Sequence, residues 1–142
     1  MTPVDRLRTF IEDMLEWETT FQTQRRSESY MQNVEVRTQI DSDANRKLQN
    51  IFTEHLSRKA LNSIAKARLD TMGTQRPPDY AQSVSENTEE QAGKHTHIET
   101  FKEKGLAPRR RYSLVMEDGV PKIDSVAAWD PSEQKWDRRH SI

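Results

Sequence analysis

Residues 109–129, RRRYSLVMEDGVPKIDSVAAW, constrain the fold more than any other stretch of this 142-residue chain. Apolar and polar residues alternate on both sides of Asp118-Gly119, a pair suited to a two-residue type I′ turn because both central residues must take φ > 0. The segment is therefore predicted to be a β-hairpin, and the turn sets its register. Met116 faces Pro121, Leu114 faces Ile123 and Tyr112 faces Ser125. One face then carries Tyr112, Leu114, Met116, Pro121, Ile123, Ala127 and Trp129. The other carries Arg111, Ser113, Glu117, Lys122 and Asp124 around Val115, Val120 and Val126. This is the pattern of a sheet with one buried face.

A hairpin needs something to cover that face, and the N-terminal half supplies it. Val4, Leu7, Phe10, Ile11, Met14, Trp17 and Phe21 recur at spacings of three and four, predicting an amphipathic helix from residue 3 to about 26, with Thr2 as cap and Pro3 in the first turn. Residues 27–42 are polar and fit helix or loop, while Asp41, Ser42 and Asp43 offer caps for a helix starting there. From Asp43 to about Leu69 the apolar residues are again helical but slip phase near 57–59, which predicts two helices or one broken helix. Gly73, Pro77 and Pro78 stop helix formation. Residues 80–90 and 94–103, separated by Ala92-Gly93, read as two further strands, and Gly105 and Pro108 mark the turn into the hairpin. Helices followed by about four antiparallel strands, without βαβ alternation, predict an α+β fold with helices on one face of a curved sheet. The tail DPSEQKWDRRHSI is read as polar apart from Trp136.

Composition narrows the function. The hydrophobic fraction is 32%, low for a folded chain, but the net charge of -1 argues against disorder, which requires high charge as well. With 22 basic and 23 acidic residues mixed throughout, no global field favours nucleic acid or an anionic membrane. The absence of Cys removes thiol catalysis, disulfides and thiolate metal sites. No stretch approaches the roughly 18 apolar residues of a membrane span, and the charged start fits a cytoplasmic protein.

Four groups of residues could carry chemistry. His95 and His97 share one side of a strand and could present two imidazoles to a metal, with Glu99 as a third ligand. That set is incomplete, so no metal is expected. Asp124 with Tyr112 or Tyr80 suggests an acid/base pair, yet the register turns Asp124 away from Tyr112. Arg109, Arg110 and Arg111 form a compact basic run, too short and too poor in aromatics for nucleic acid; it is read as a charged strand entrance. Glu86, Glu89 and Glu90 are either a patch for a basic partner or a solvated edge.

Three stretches carry a resemblance: FIEDMLEWE at 10–18, PPDY at 77–80 and YSLVMEDGVPKIDSV at 112–126. Together with the order of elements, they resemble NTF2-like fold immunity proteins that accompany Rhs-type polymorphic toxins of bacteria. That family often has Trp two residues before the hairpin Ile, where this chain has Pro121. The missing N–H of Pro121 should point away from the facing strand, suggesting an unpaired edge or bulge on the far side. The resemblance implies an NTF2-like cone in a single domain over 1–142, with 130–142 as a candidate flexible tail. It also implies a protein without enzymatic activity or cofactor that binds and blocks a cognate toxin domain. An NTF2-like isomerase or dehydratase and a dimerising adaptor module are the alternatives, and a homodimer is one possible state. The expected contact residues are Asp79, Tyr80, Glu86, Glu89 and Glu90, an aromatic anchor among carboxylates that would suit a basic toxin surface.

Overall fold

The computed structural model describes residues 1–102 and 109–142; the turn expected at Gly105 and Pro108 lies outside them. In chain order the elements are α1 (Pro3–Arg25), α2 (Glu28–Gln32), α3 (Val34–His55), α4 (Arg58–Leu61), α5 (Ile64–Thr71), β1 (Ser83–Ala92), β2 (His95–Phe101), β3 (Arg110–Glu117), β4 (Val120–Asp130) and β5 (Lys135–Arg138). The strands form one antiparallel sheet in the order β1-β2-β3-β4-β5. The helices pack with this sheet in an α+β arrangement, as expected.

Helix α1 begins where its cap chemistry dictates. Thr2 Oγ1 accepts from the Asp5 amide and Asp5 Oδ2 accepts from the Thr2 amide, both at 3.1 Å, with Pro3 in the first turn. Its apolar stripe is buried from Val4 to Phe21, and Phe10 meets the rings of Tyr80 and Tyr112 edge-on, at 5.7 and 6.5 Å between centroids. Trp17 turns instead to α3, where its indole N–H donates to the Ala44 carbonyl at 2.8 Å. The polar stretch 27–42 is largely helix: Asn33, rather than Asp41 to Asp43, caps α3 through its side-chain oxygen, which accepts from Glu35 and Val36. The phase slip near Ser57 is a real break. Leu56 is extended and bridges Ile123, the Ser57 amide donates to the Ile123 carbonyl at 2.9 Å, and Ser57 caps α4.

The hairpin forms with the expected turn: Asp118 and Gly119 have φ of 54° and 81°. Met116 faces Pro121 and Leu114 faces Ile123, as the turn predicts. Beyond that pair the register shifts by one, so Ser113 faces Ser125 and Tyr112 faces Val126. Asp124 is the extra residue of a β-bulge. The buried face of the hairpin is therefore Tyr112, Leu114, Pro121, Ile123 and Val126, whereas Ala127 and Trp129 turn to the outer face. Met116 also departs from the expected face, being 59% exposed beside the turn. Among the described residues no strand pairs with the side of β4 away from Met116 at Pro121, in keeping with its missing amide; the Pro121 carbonyl accepts from Arg6 Nε at 2.9 Å.

The tail adds a fifth strand to the four expected from the sequence. β5 pairs with the end of β4, setting Trp136 opposite Trp129 with ring centroids 5.3 Å apart, and Ile142 is buried with its amide donating to the Ile64 carbonyl.

Candidate functional site

The sheet has two faces, and their polar groups are arranged differently. On the inner face, between sheet and helices, Phe10, Tyr80, Tyr112, Phe52, Leu114 and Ile123 are fully buried. Polar groups among them are tied to one another. Glu18, without exposed surface, accepts from the backbone amides of Gln75, Asp79 and Tyr80, each at 2.9 Å, and so fixes the chain entering β1. Asp79 accepts from Arg110 at 2.7 Å within the core. Burial pushes the Asp79 carboxyl up, but the Arg110 charge and hydrogen bond outweigh it and hold the pKa below the usual value. Tyr112 Oη and Thr100 Oγ1 both donate to Gln82 Oε1, at 2.9 and 2.8 Å. Tyr80 Oη has no partner among the described residues, and burial drives its pKa strongly upward.

These contacts relocate several residues singled out from sequence. Asp79 and Tyr80, expected as a surface anchor, are 3% and 0% exposed, because Asp79 neutralises Arg110 and Tyr80 fills the space beside Phe10. Of the basic run, Arg110 points inward to Asp79, while Arg109 and Arg111 lie on the outer face. Glu86, Glu89 and Glu90 are all exposed but do not share one face. Glu86 pairs with Arg8 of α1 at 3.0 Å, Glu89 lines a hollow with Pro3 and Lys94, and Glu90 sits opposite His97.

The acid/base pair is not assembled. Tyr112 bonds to Gln82 on the inner side, whereas Asp124 accepts from Ser57 Oγ at 2.7 Å, His95 Nε2 at 3.1 Å and Lys59 Nζ at 3.5 Å. Burial raises the Asp124 pKa, but these donors outweigh it and lower it overall, so the group is a fixed carboxylate. His95 serves Asp124 rather than a metal shared with His97. Asp13, Glu54 and His55 converge more closely, with His55 Nε2 2.7 Å from Asp13 and 3.8 Å from Glu54. The donors decide this cluster: Arg6 can only donate, so its 3.0 Å contact makes His55 Nδ1 an acceptor and places the ring proton on Nε2, facing Asp13. An imidazole used on both nitrogens has no lone pair left for an ion, and the cluster reads as a hydrogen-bonded chain from Arg6 to Asp13.

The outer face is open. His97, Ser113 and Ser125 lie in one cross-strand row, Arg111, Ala127 and Arg138 in the next, and Trp129 and Trp136 beyond. With Lys59, His95, Asp124 and Val126, all of these but Trp129 line a cavity of about 240 Å³. Arg109 lies over Trp129 and Trp136, and the Arg111 guanidinium is 4.8 Å from the Trp136 ring centre. Burial and the charges of Arg111 and His95 lower the His97 pKa, Glu90 opposing them. Sequence reasoning alone does not single out this face. The signal is present in Arg109, Arg111, Trp129, Trp136 and Arg138, but the bulge and β5 are needed to align them.

The searches for similar proteins agree with the architecture where they give a result. No curated protein and no solved structure matches the chain. The family model described as NTF2 fold immunity protein matches residues 2–140, nearly the whole length, and the chain thus belongs to the NTF2 fold immunity protein family.

Proposed function

We propose that the protein neutralises a cognate secreted toxin domain by binding and occluding it, in the cytoplasm of the bacterium that makes both, without cofactor or chemistry of its own. The observation that carries this reading is the filled inner face. Phe10, Tyr80 and Tyr112 occupy the space between α1 and the sheet, and the polar groups around them, apart from the Tyr80 hydroxyl, are engaged by Glu18, Arg110 and Gln82. Membership of an immunity-protein family fits a chain whose accessible features lie outside, on the sheet and its edge.

Within this reading, Glu86, Glu89 and Glu90 act as steering charges toward basic parts of the toxin, not as a compact anchor. Exposed charges of this kind change association rates more than final affinity. Reversing all three to Lys should slow complex formation, most at low ionic strength, and sensitise cells to the toxin.

The test is stoichiometry. Purified protein mixed with the toxin domain encoded in the adjacent reading frame should shift on gel filtration to a one-to-one complex, and protection of cells should require at least one copy per toxin. Protection at far lower ratios would mean catalysis and sink the proposal. An obligate dimer that does not shift with toxin would place the protein among adaptor modules.

A further inference from the structure

We infer that the outer face of the sheet, centred on Arg111, Arg138 and Trp136, is a docking surface for an acidic segment of a protein partner. The inference rests on the proposed toxin binding in one respect, that the acidic segment belongs to the toxin domain.

Charge is the first argument. Among the described residues, Arg109 is paired with Glu99 at 3.2 Å and Lys59 with Asp124, but Arg111 and Arg138 have no carboxylate partner. The two stand on β3 and β5, the strands that flank β4, on either side of Ala127, which pairs with both. Their planar guanidinium groups suit a carboxylate bound through two parallel hydrogen bonds. Among the described residues Asp124 is the only carboxylate lining the same cavity, and Ser57, His95 and Lys59 already hold it.

Composition is the second. Trp and Arg are among the residues most often found as binding hot spots, and here Arg109 and Arg111 already lie against the edge-on pair Trp129 and Trp136 before any partner arrives. Prior stacking reduces the ordering cost that a flexible Arg would otherwise incur on binding. Serines and Ala127 around them leave room, so the aromatic rim stands beside a recess rather than above a flat surface.

The choice of an acidic protein segment over a nucleic-acid strand follows from the borders of the patch. Glu90 faces His97 and Glu99 faces Arg111 on the adjoining strands. A continuous phosphate backbone crossing the sheet would run over these carboxylates, whereas one or two acidic side chains can enter the recess from the Trp136 side. The larger hollow between α1 and α3, about 310 Å³, is less selective, because Asp13, Glu16, Asp43 and Lys47 line it together and give no such bias.

The probe is an N-acetylated Glu-Glu-Leu-Glu-Glu peptide, with inorganic phosphate and a ten-nucleotide single strand as comparisons. The peptide should change tryptophan fluorescence saturably and raise the pKa of the His97 imidazole followed by NMR, since a carboxylate beside it offsets the Arg111 charge. Arg111→Gln with Arg138→Gln should weaken the peptide at least about tenfold while leaving the far-ultraviolet dichroism unchanged. Trp136→Phe offers an independent variant that keeps both charges and should weaken binding less. Equal binding by the double variant and the wild type, or tighter binding of the oligonucleotide than the peptide, overturns the inference.

A toxin arm separates this inference from the functional reading. If the double variant still binds and blocks the toxin as wild type does, the docking surface lies elsewhere and occlusion stands. If the wild type holds the peptide at this face but forms no complex with the toxin, the face stands and occlusion fails.

Discussion

The two faces of one sheet put similar residues to opposite uses. On the inner face Arg110 is buried against Asp79 and Tyr112 is tied to Gln82. One strand position further along, on the outer face, Arg111 leans over Trp136 without an ion-pair partner among the described residues, the facing Glu99 being paired with Arg109. Adjacent arginines of one strand thus belong to stability and to recognition, respectively, because strand side chains alternate. What distinguishes them is the partner that each face provides, and residue type alone would not have separated them.

Mutations should reveal that division, beginning inside. Asp79→Ala leaves Arg110 buried without its counter-charge and should cost about 3–5 kcal/mol, measured by chemical denaturation. A loss below about 1 kcal/mol would mean that Arg110 finds water easily and that the inner face is looser than its contacts imply. Leu114→Ala and Ile123→Ala should each cost about 2–4 kcal/mol, and values near zero for both would contradict the burial of the hairpin.

The same comparison extends to pH. Because the Asp79 pKa is lowered in the fold, its contribution is fully present above the unfolded value of about 3.9 and is lost as pH falls through the folded value. Asp79→Asn should therefore flatten the stability profile in that acid range. On the outer face the His97 pKa is lowered from about 6.5, so the folded state resists its protonation. Stability should be highest above that value and decline as pH falls through the folded pKa, a slope that His97→Gln removes. Seeing the two slopes in separate pH windows would sharpen the contrast; finding that His97→Gln leaves the profile near pH 6 unchanged would remove the outer half of it. Smallest of all, Arg111→Ala and Arg138→Ala should each alter stability by no more than about 0.5 kcal/mol, because both side chains lie outside the core.

The helical stripe of α1, the break after α3 and the Asp118-Gly119 turn are all legible from spacing and turn chemistry, since each is decided within a few neighbouring residues. Two kinds of information are not local. Arg6 and Glu18 interrupt the stripe as ordinary charged residues would, and only the folded chain brings them Pro121, His55 and the amides around Asp79. Similarly, Asp79 and Tyr80 look like surface residues at the entrance to a strand because their burial depends on Arg110 and Phe10, 31 and 70 positions away. Candidate sites suffer most, since a polar residue is functional or structural according to what it meets across the fold. Trp136 is visible as an isolated aromatic, but its meaning depends on Trp129 arriving on the same side.

That arrival depends on a single residue. In β4 the buried apolar positions are the odd-numbered Pro121 and Ile123 and then the even-numbered Val126; Asp124 is the parity change between them. Deleting Asp124 would leave every downstream side chain chemically intact while exchanging inside for outside: Trp129 would turn toward the helices and Val126 toward solvent. Within this family, insertions and deletions near this position could therefore erase or create an outer recognition face more abruptly than any run of substitutions, through the count of residues alone.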